Sequence, residues 1–201
     1  TGCVKHEELL EVIFNPSLYA SRLNQTAGVD MIAASAGNYY EGLTQAEVEK
    51  FYNKMIDPKD PRPISYGLNS KLVKKDGKIF EQTYKVGGMY TEALEQVVYW
   101  LEKAEAVAEE PLKTTIGLLI KYYRSGDLRD FDAFNISWVQ DTQSNVDFVN
   151  GFTETYGDPL GFKASWESVV NFIDKAACAR TQIISENAQW FEDNSPINPA
   201  Y

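Results

Sequence analysis

The stretch ISYGLNSKLVKKDGKIFEQTYKV, residues 64–86, reads as two strands around one tight turn. Asp76-Gly77 is the kind of pair a two-residue type I′ turn selects, because both central residues need positive φ. This places strands over 64–75 and 78–86 and sets Val73 opposite Phe80. Phe80, Tyr84 and Val86 alternate with polar residues and are expected on one half-buried face. Gly87-Gly88 then lets the strand turn into a helix.

Helical periodicity takes over downstream. A long helix is expected over about 89–108, with Leu94, Val97, Val98, Leu101 and Ala104 or Ala108 inside. Pro111 starts a second helix that buries Leu112, Ile116, Leu119, Ile120 and Tyr123, and Gly126 stops it. Asp127 caps a third, carrying Phe131, Phe134 and Trp138. The three are expected to pack antiparallel. From Asn145 the texture changes. Residues 146–152 and 162–173 read as strands, joined by the turn chemistry of Tyr156-Gly157-Asp158-Pro159-Leu160-Gly161. Asp174 caps a last helix with Ala177, Thr181, Ile184, Ala188 and Phe191 inside, and the tail from Asn194 should be extended.

Upstream, Thr44 and Glu47 form a capping box for a helix with Val48, Phe51, Tyr52 and Met55 on one face. Three prolines, Pro58, Pro61 and Pro63, end it. The first 37 residues read as broken helix: Leu9, Val12 and Ile13 in one piece, residues 16–23 in another, and a short apolar element around Met31, Ile32 and Ala36. The elements sum to an α+β fold, a helix-rich domain with a small, mostly antiparallel sheet.

Composition narrows the function classes. A chain of 201 residues with 44% hydrophobic and 13% aromatic content is globular. Its net charge of −10 argues against nucleic acid or anionic lipid as a partner. The basic run Lys71–Lys78 is a solvated hairpin tip. No stretch of 18 apolar residues exists, so no membrane span is expected, and no signal peptide is visible. Cys3 and Cys178 make neither a disulfide framework nor a metal cluster, which favours a reducing, cytoplasmic setting. The chain starts at Thr1 without methionine, as expected of a segment excised from a longer protein. The sequons at Asn24 and Asn135 are chance matches in that setting.

The chemistry-bearing residues are few. His6, beside Glu7 and Glu8, is the one histidine, and a zinc site or a nucleophile–histidine pair cannot be built on it alone. It reads as a solvated helix residue. Asp141, Asp147, Glu154 and Asp158 lie close together in sequence. A regular strand puts Asp147 and Glu154 on opposite faces, which weakens a glycosidase pair. The set is left as caps and turn ligands, or as acceptors for a peptide ammonium.

The run from Trp138 to Phe172, with Trp138-Val139-Gln140-Asp141, Gly151-Phe152, Glu154, Tyr156 and Asp158-Pro159, resembles the central segment of the dipeptidyl peptidase III family. The likeness extends back through Asn38-Tyr39-Tyr40, Ser65–Ser70 and Val86-Gly87-Gly88, and forward to Asn187–Phe191. Its flavour is closest to bacterial members of Bacteroides type. The resemblance implies a two-lobed zinc peptidase that releases dipeptides from peptide N-termini. Residues 1–201 would be a fragment of it, mostly the β-containing lobe without zinc. The helix and tail at 174–201 would lead towards the zinc-bearing lobe of the same polypeptide. The family's His-Glu-x-x-Gly-His motif is absent and would lie beyond Tyr201, so this chain holds no cofactor of its own and is expected to be inactive alone. Asp147 falls where the family holds the substrate ammonium, with Asn150 and Glu154 as substrate-binding neighbours. Val149 stands where animal members have a tyrosine near the zinc, which removes any role for a hydroxyl there. The alternative is a stand-alone, non-catalytic peptide-binding or scaffold domain.

Overall fold

The computed structural model describes residues 6–15 and 22–198. Its elements run α1 (His6–Phe14), β1 (Tyr40–Glu41), α2 (Gln45–Asn53), β2 (Ser70–Lys75), β3 (Lys78–Thr83), α3 (Thr91–Glu105), α4 (Leu112–Ser125), α5 (Leu128–Gln140), β4 (Val146–Glu154), a 3-10 turn (Thr155–Gly157), β5 (Ser165–Phe172), α6 (Lys175–Glu186) and α7 (Ala188–Asp193). A larger compact unit reaches Ser144 and takes in Asn150–Ser168; a smaller one holds Asn145–Val149 and residues from Val169 onward. The fold class is α+β. No described helix is long and apolar enough to cross a membrane.

The hairpin forms as its turn chemistry requires. Asp76 and Gly77 take φ of 51° and 76°, and Val73 pairs with Phe80. β1 adds to the other edge of β2 in parallel. Two expectations are corrected here. The first strand begins at Ser70, not Ile64, because Tyr66–Asn69 form a turn around Gly67 (φ 88°). A Cβ on Gly67 would come within 2.7 Å of the Tyr52 ring, so only glycine lets this turn close over α2. The inward face of β3 is also the other one: Ile79, Glu81 and Thr83 are half-buried, while Phe80 is 41% exposed on the open edge strand. The register sets Glu81 opposite Leu72, which is fully buried, and Glu81 takes that face because it has buried partners there. Tyr84 is buried just past the strand's end, and Val86 lies outside it.

Thr44 and Glu47 complete the capping box of α2, whose Val48 and Tyr52 form a core with Leu72. α4 packs against both α3 and α5. The Thr115–Ser137 and Ser125–Asp130 hydrogen bonds, both 2.7 Å, tie opposite ends of α4 to α5 and make the pair antiparallel. Gly126 ends α4 at φ 70°, and Asp127 caps α5 by accepting from the Arg129 amide. β4 runs on to Glu154, and β5 starts at Ser165 rather than at Phe162 because Asp158 claims the amides of Phe162 and Lys163. In the smaller unit, Asp174 caps α6 as expected. The expected buried face of the last helix is not found. The helix breaks at Asn187, whose side chain bonds back to the Ile183 carbonyl, and neither α6 nor α7 buries a residue. Ile184 and Phe191 stay 58% and 49% exposed, with no other element packed over them in that unit. Residues 16–21 of the second expected helix, and the end of the tail, lie outside the described residues.

Replacing Gly77 by valine isolates the turn, because no atom lies within 4 Å of the Cβ it would add. The β-branched residue resists positive φ, so the fold should lose about 1 kcal/mol or more in urea unfolding. An unchanged midpoint would show that the turn does not need positive φ there.

Candidate functional site

Lys163 and Asp158 organise the larger unit from the loop between β4 and β5. The Asp158 carboxylate, 3% exposed, accepts the Tyr40 hydroxyl at 2.6 Å and the amides of Phe162 and Lys163 at 2.8 Å each. Lys163 is fully buried. Its ammonium donates to the Tyr52 hydroxyl and to Ser70 Oγ (2.9 Å), and Glu81 lies 3.6 Å away. Glu81 in turn accepts the hydroxyls of Tyr52 (2.7 Å) and Ser70 (2.6 Å). The ammonium also lies 4.7 Å from the centre of the Tyr52 ring, within cation–π range. Burial drives the Lys163 pKa down to about 8, against the pull of Glu81 and Asp158. Burial pushes the Tyr40 and Tyr52 phenols up, so both stay neutral.

β4 carries the three substrate-binding candidates. Asn150 is held on two sides: its carboxamide oxygen accepts the Tyr123 hydroxyl, and its amide donates to Ser168 Oγ at 3.1 Å. Trp166 Nε1 donates to the same Tyr123 hydroxyl at 2.8 Å. One amide hydrogen of Asn150 is left for a ligand. Next to it, Gly151 lets β4 lie on α5, because a Cβ there would come within 3.1 Å of the Phe131 ring. Glu154 faces Glu167 of β5, and their hydrogen bond raises the Glu154 pKa by favouring a proton between them. Thr153 Oγ1 donates to Glu167 at 2.9 Å. Neighbouring carboxyls of this kind can accept hydrogen bonds from an ammonium. Asp147 lies in the smaller unit, exposed, and accepts the Phe148 amide at 2.8 Å. Val149 follows without a hydroxyl. Asp141 caps the end of α5 through the amides of Gln143 and Ser144, so it and Asp158 are the cap and turn ligands of the set.

The model of "Peptidase family M49" matches residues 68–201, a span that begins just before β2 and contains every candidate residue on β4. The chain belongs to peptidase family M49. It is similar to mouse "Dipeptidyl peptidase 3", 29% identical over 178 residues, which is 87% of this chain and 22% of the relative. A structure of dipeptidyl-peptidase III from a Corallococcus strain aligns at TM-score 0.56 and 26% identity over 87% of this chain and 32% of its own. The likeness of fold to DPP III from Caldithrix abyssi is a TM-score of 0.58 at 20% identity, over 99% of this chain and 38% of that one. The chain thus spans about a fifth of the length of the mouse relative.

Zinc, which the family likeness implies, does not fit the donor set described here. Among the described residues no group of three or more His, Cys, Asp or Glu could hold a metal ion. His6 is exposed on α1, and Cys178 is an exposed free thiol. Sequence reasoning missed the Lys163 cluster. Its one signal, a lysine between Phe162 and Ala164 after a turn, does not say whether the side chain points to water.

Lys163 gives a signed pH dependence. The unfolded lysine titrates near 10.4, so between about pH 8 and that value the unfolded chain binds more protons and stability rises with pH. Below about pH 8 both states are protonated and the slope vanishes. Above about pH 10 the buried tyrosines reverse the trend, because they ionise only on unfolding. The urea midpoint of the native chain should therefore climb from about pH 8 to about pH 9.5, and Lys163→Met should remove that climb. Parallel curves for the two proteins would show that Lys163 does not titrate in this window.

Proposed function

We propose that this chain is the substrate-cleft portion of a zinc-dependent dipeptidyl peptidase that releases dipeptides from peptide N-termini. The carrying observation is the family match across residues 68–201, which takes in all of β4. The chain then forms mostly the β-containing lobe, and residues 174–201 lead towards the zinc-bearing lobe of the same polypeptide. The His-Glu-x-x-Gly-His motif lies beyond Tyr201, and the parent is a cytoplasmic enzyme of bacterial, Bacteroides-like type. Zinc and the general base come from that other lobe. The residues here bind and orient the peptide.

Asp147 accepts the N-terminal ammonium of the peptide, a charge-assisted contact that sets its register. Asn150, held by Tyr123 and Ser168, offers its remaining amide hydrogen to a peptide carbonyl. Glu154, on the same strand, adds a further carboxyl to the peptide-binding set. A second reading is a non-catalytic peptide-binding or scaffold domain, and the lack of a metal-ligand group among the described residues agrees with either. Reading the gene past Tyr201 separates the two: the motif is present in the first case and absent in the second.

In the parent enzyme Asp147→Asn keeps the shape and removes the charge. The loss of a charge-assisted hydrogen bond should lower kcat/KM by about 10- to 150-fold. Discrimination against N-acetylated peptides should narrow in parallel. A cap or turn role predicts a lower melting temperature with discrimination unchanged, and that result would remove Asp147 from the site. For this chain alone, metal analysis after extensive dialysis should find no retained zinc; one equivalent would contradict the assignment of zinc to the other lobe.

A further inference from the structure

A cavity of about 510 Å³ opens within the larger unit, between the first turns of α3, the residues before β1, and the facing parts of β4 and β5. That volume is in the range of ligand pockets, about 300–1,000 Å³. Its walls are aromatic: Tyr39, Tyr84, Tyr90, Phe152 and Trp166. Tyr84 is 4% exposed, and its ring lies 5.0 Å from that of Tyr90 and 4.9 Å from that of Phe152. Its hydroxyl has no hydrogen-bond partner among the described residues and, unlike that of Tyr122, is not sealed from open space. Among the other lining groups, Trp166 already donates its indole N–H to Tyr123. The Trp166 ring is therefore a fixed wall, which lowers the ordering cost of binding against it. Tyr90 reaches the cavity from a left-handed backbone at φ 63°, a conformation non-glycine residues adopt at a cost.

We propose that this cavity is a side-chain pocket for one aromatic residue of a bound peptide, with Tyr84 Oη pairing with the polar edge of its ring. A flat ring meets the aromatic walls in offset or edge-on contact. A tyrosine hydroxyl or tryptophan indole N–H supplies the single hydrogen bond that Tyr84 lacks, and the Tyr84 hydroxyl can donate to the first or accept from the second. The peptide as the source of the ring rests on the peptide-cleft reading above: Phe152 and Trp166 sit on the strands that carry Asn150, Glu154 and Ser168.

The test titrates the full chain with N-acetyl-tyrosinamide, p-cresol and N-acetyl-alaninamide, followed by ligand-observed NMR. Saturable binding is expected for the first two and not for the third. Tyr84→Phe should weaken both about tenfold, the effect of one hydrogen bond. Ala93→Phe, at an exposed lining position of α3, should fill the cavity and abolish binding, with folding checked by circular dichroism. Absence of saturable binding by the native chain would overturn the proposal. So would binding that survives Ala93→Phe, or binding of p-cresol without the capped tyrosine. The acetylated probe needs no ammonium acceptor, so failure here leaves the role of Asp147 standing, and failure of Asp147→Asn leaves the pocket standing.

Discussion

One buried ammonium sets the terms for the larger unit. Lys163 has no exposed surface, and a charge in that position is tolerated only with close polar partners. Those partners come from places far apart in sequence: Tyr52 on α2, Ser70 on β2, Glu81 on β3. Satisfying one side chain therefore joins the capped helix, the hairpin and the loop between β4 and β5. Asp158 works from the same loop, turning its carboxylate onto Tyr40 and onto the amides that would otherwise extend β5. The same demand explains why β3 turns a glutamate inward and leaves Phe80 on the rim.

The three-helix group acts on β4 through a second polar chain. Tyr123, buried on α4, receives the Trp166 indole N–H and donates to Asn150. Phe131 on α5 presses against Gly151. An amide and a backbone position on β4 are thus set by helices more than ten residues upstream, which is the support a binding strand needs to keep its geometry. The same Trp166 forms a wall of the aromatic cavity, so the strand and the pocket share one fixed side chain.

The smaller unit is built differently. Asp174 gives α6 a sound start through the amides of Ala176 and Ala177, yet Ile183, Ile184, Trp190 and Phe191 all remain exposed. Local capping makes a helix; it does not supply a surface to bury its apolar side chains. The periodicity that predicts an inner face is present, while the face itself is uncovered within the unit.

What the sequence determined by itself was local chemistry. Asp76-Gly77 dictated the turn and its register, Thr44 with Glu47 dictated a helix start, Gly126 and Asp127 a stop and a start, because each depends on a few neighbouring backbone groups. The α+β class and the family likeness were legible for the same reason, as strings of such signals in order. Tertiary structure alone decided which face of β3 turns inward, where the strands begin, that Lys163 is buried, and that Tyr84 ends in a cavity with its hydroxyl unpaired. Those outcomes depend on residues brought together across more than a hundred positions, as in the bond from Lys163 to Tyr52, 111 apart. No period or local propensity encodes a separation of that kind. Only closing the chain does.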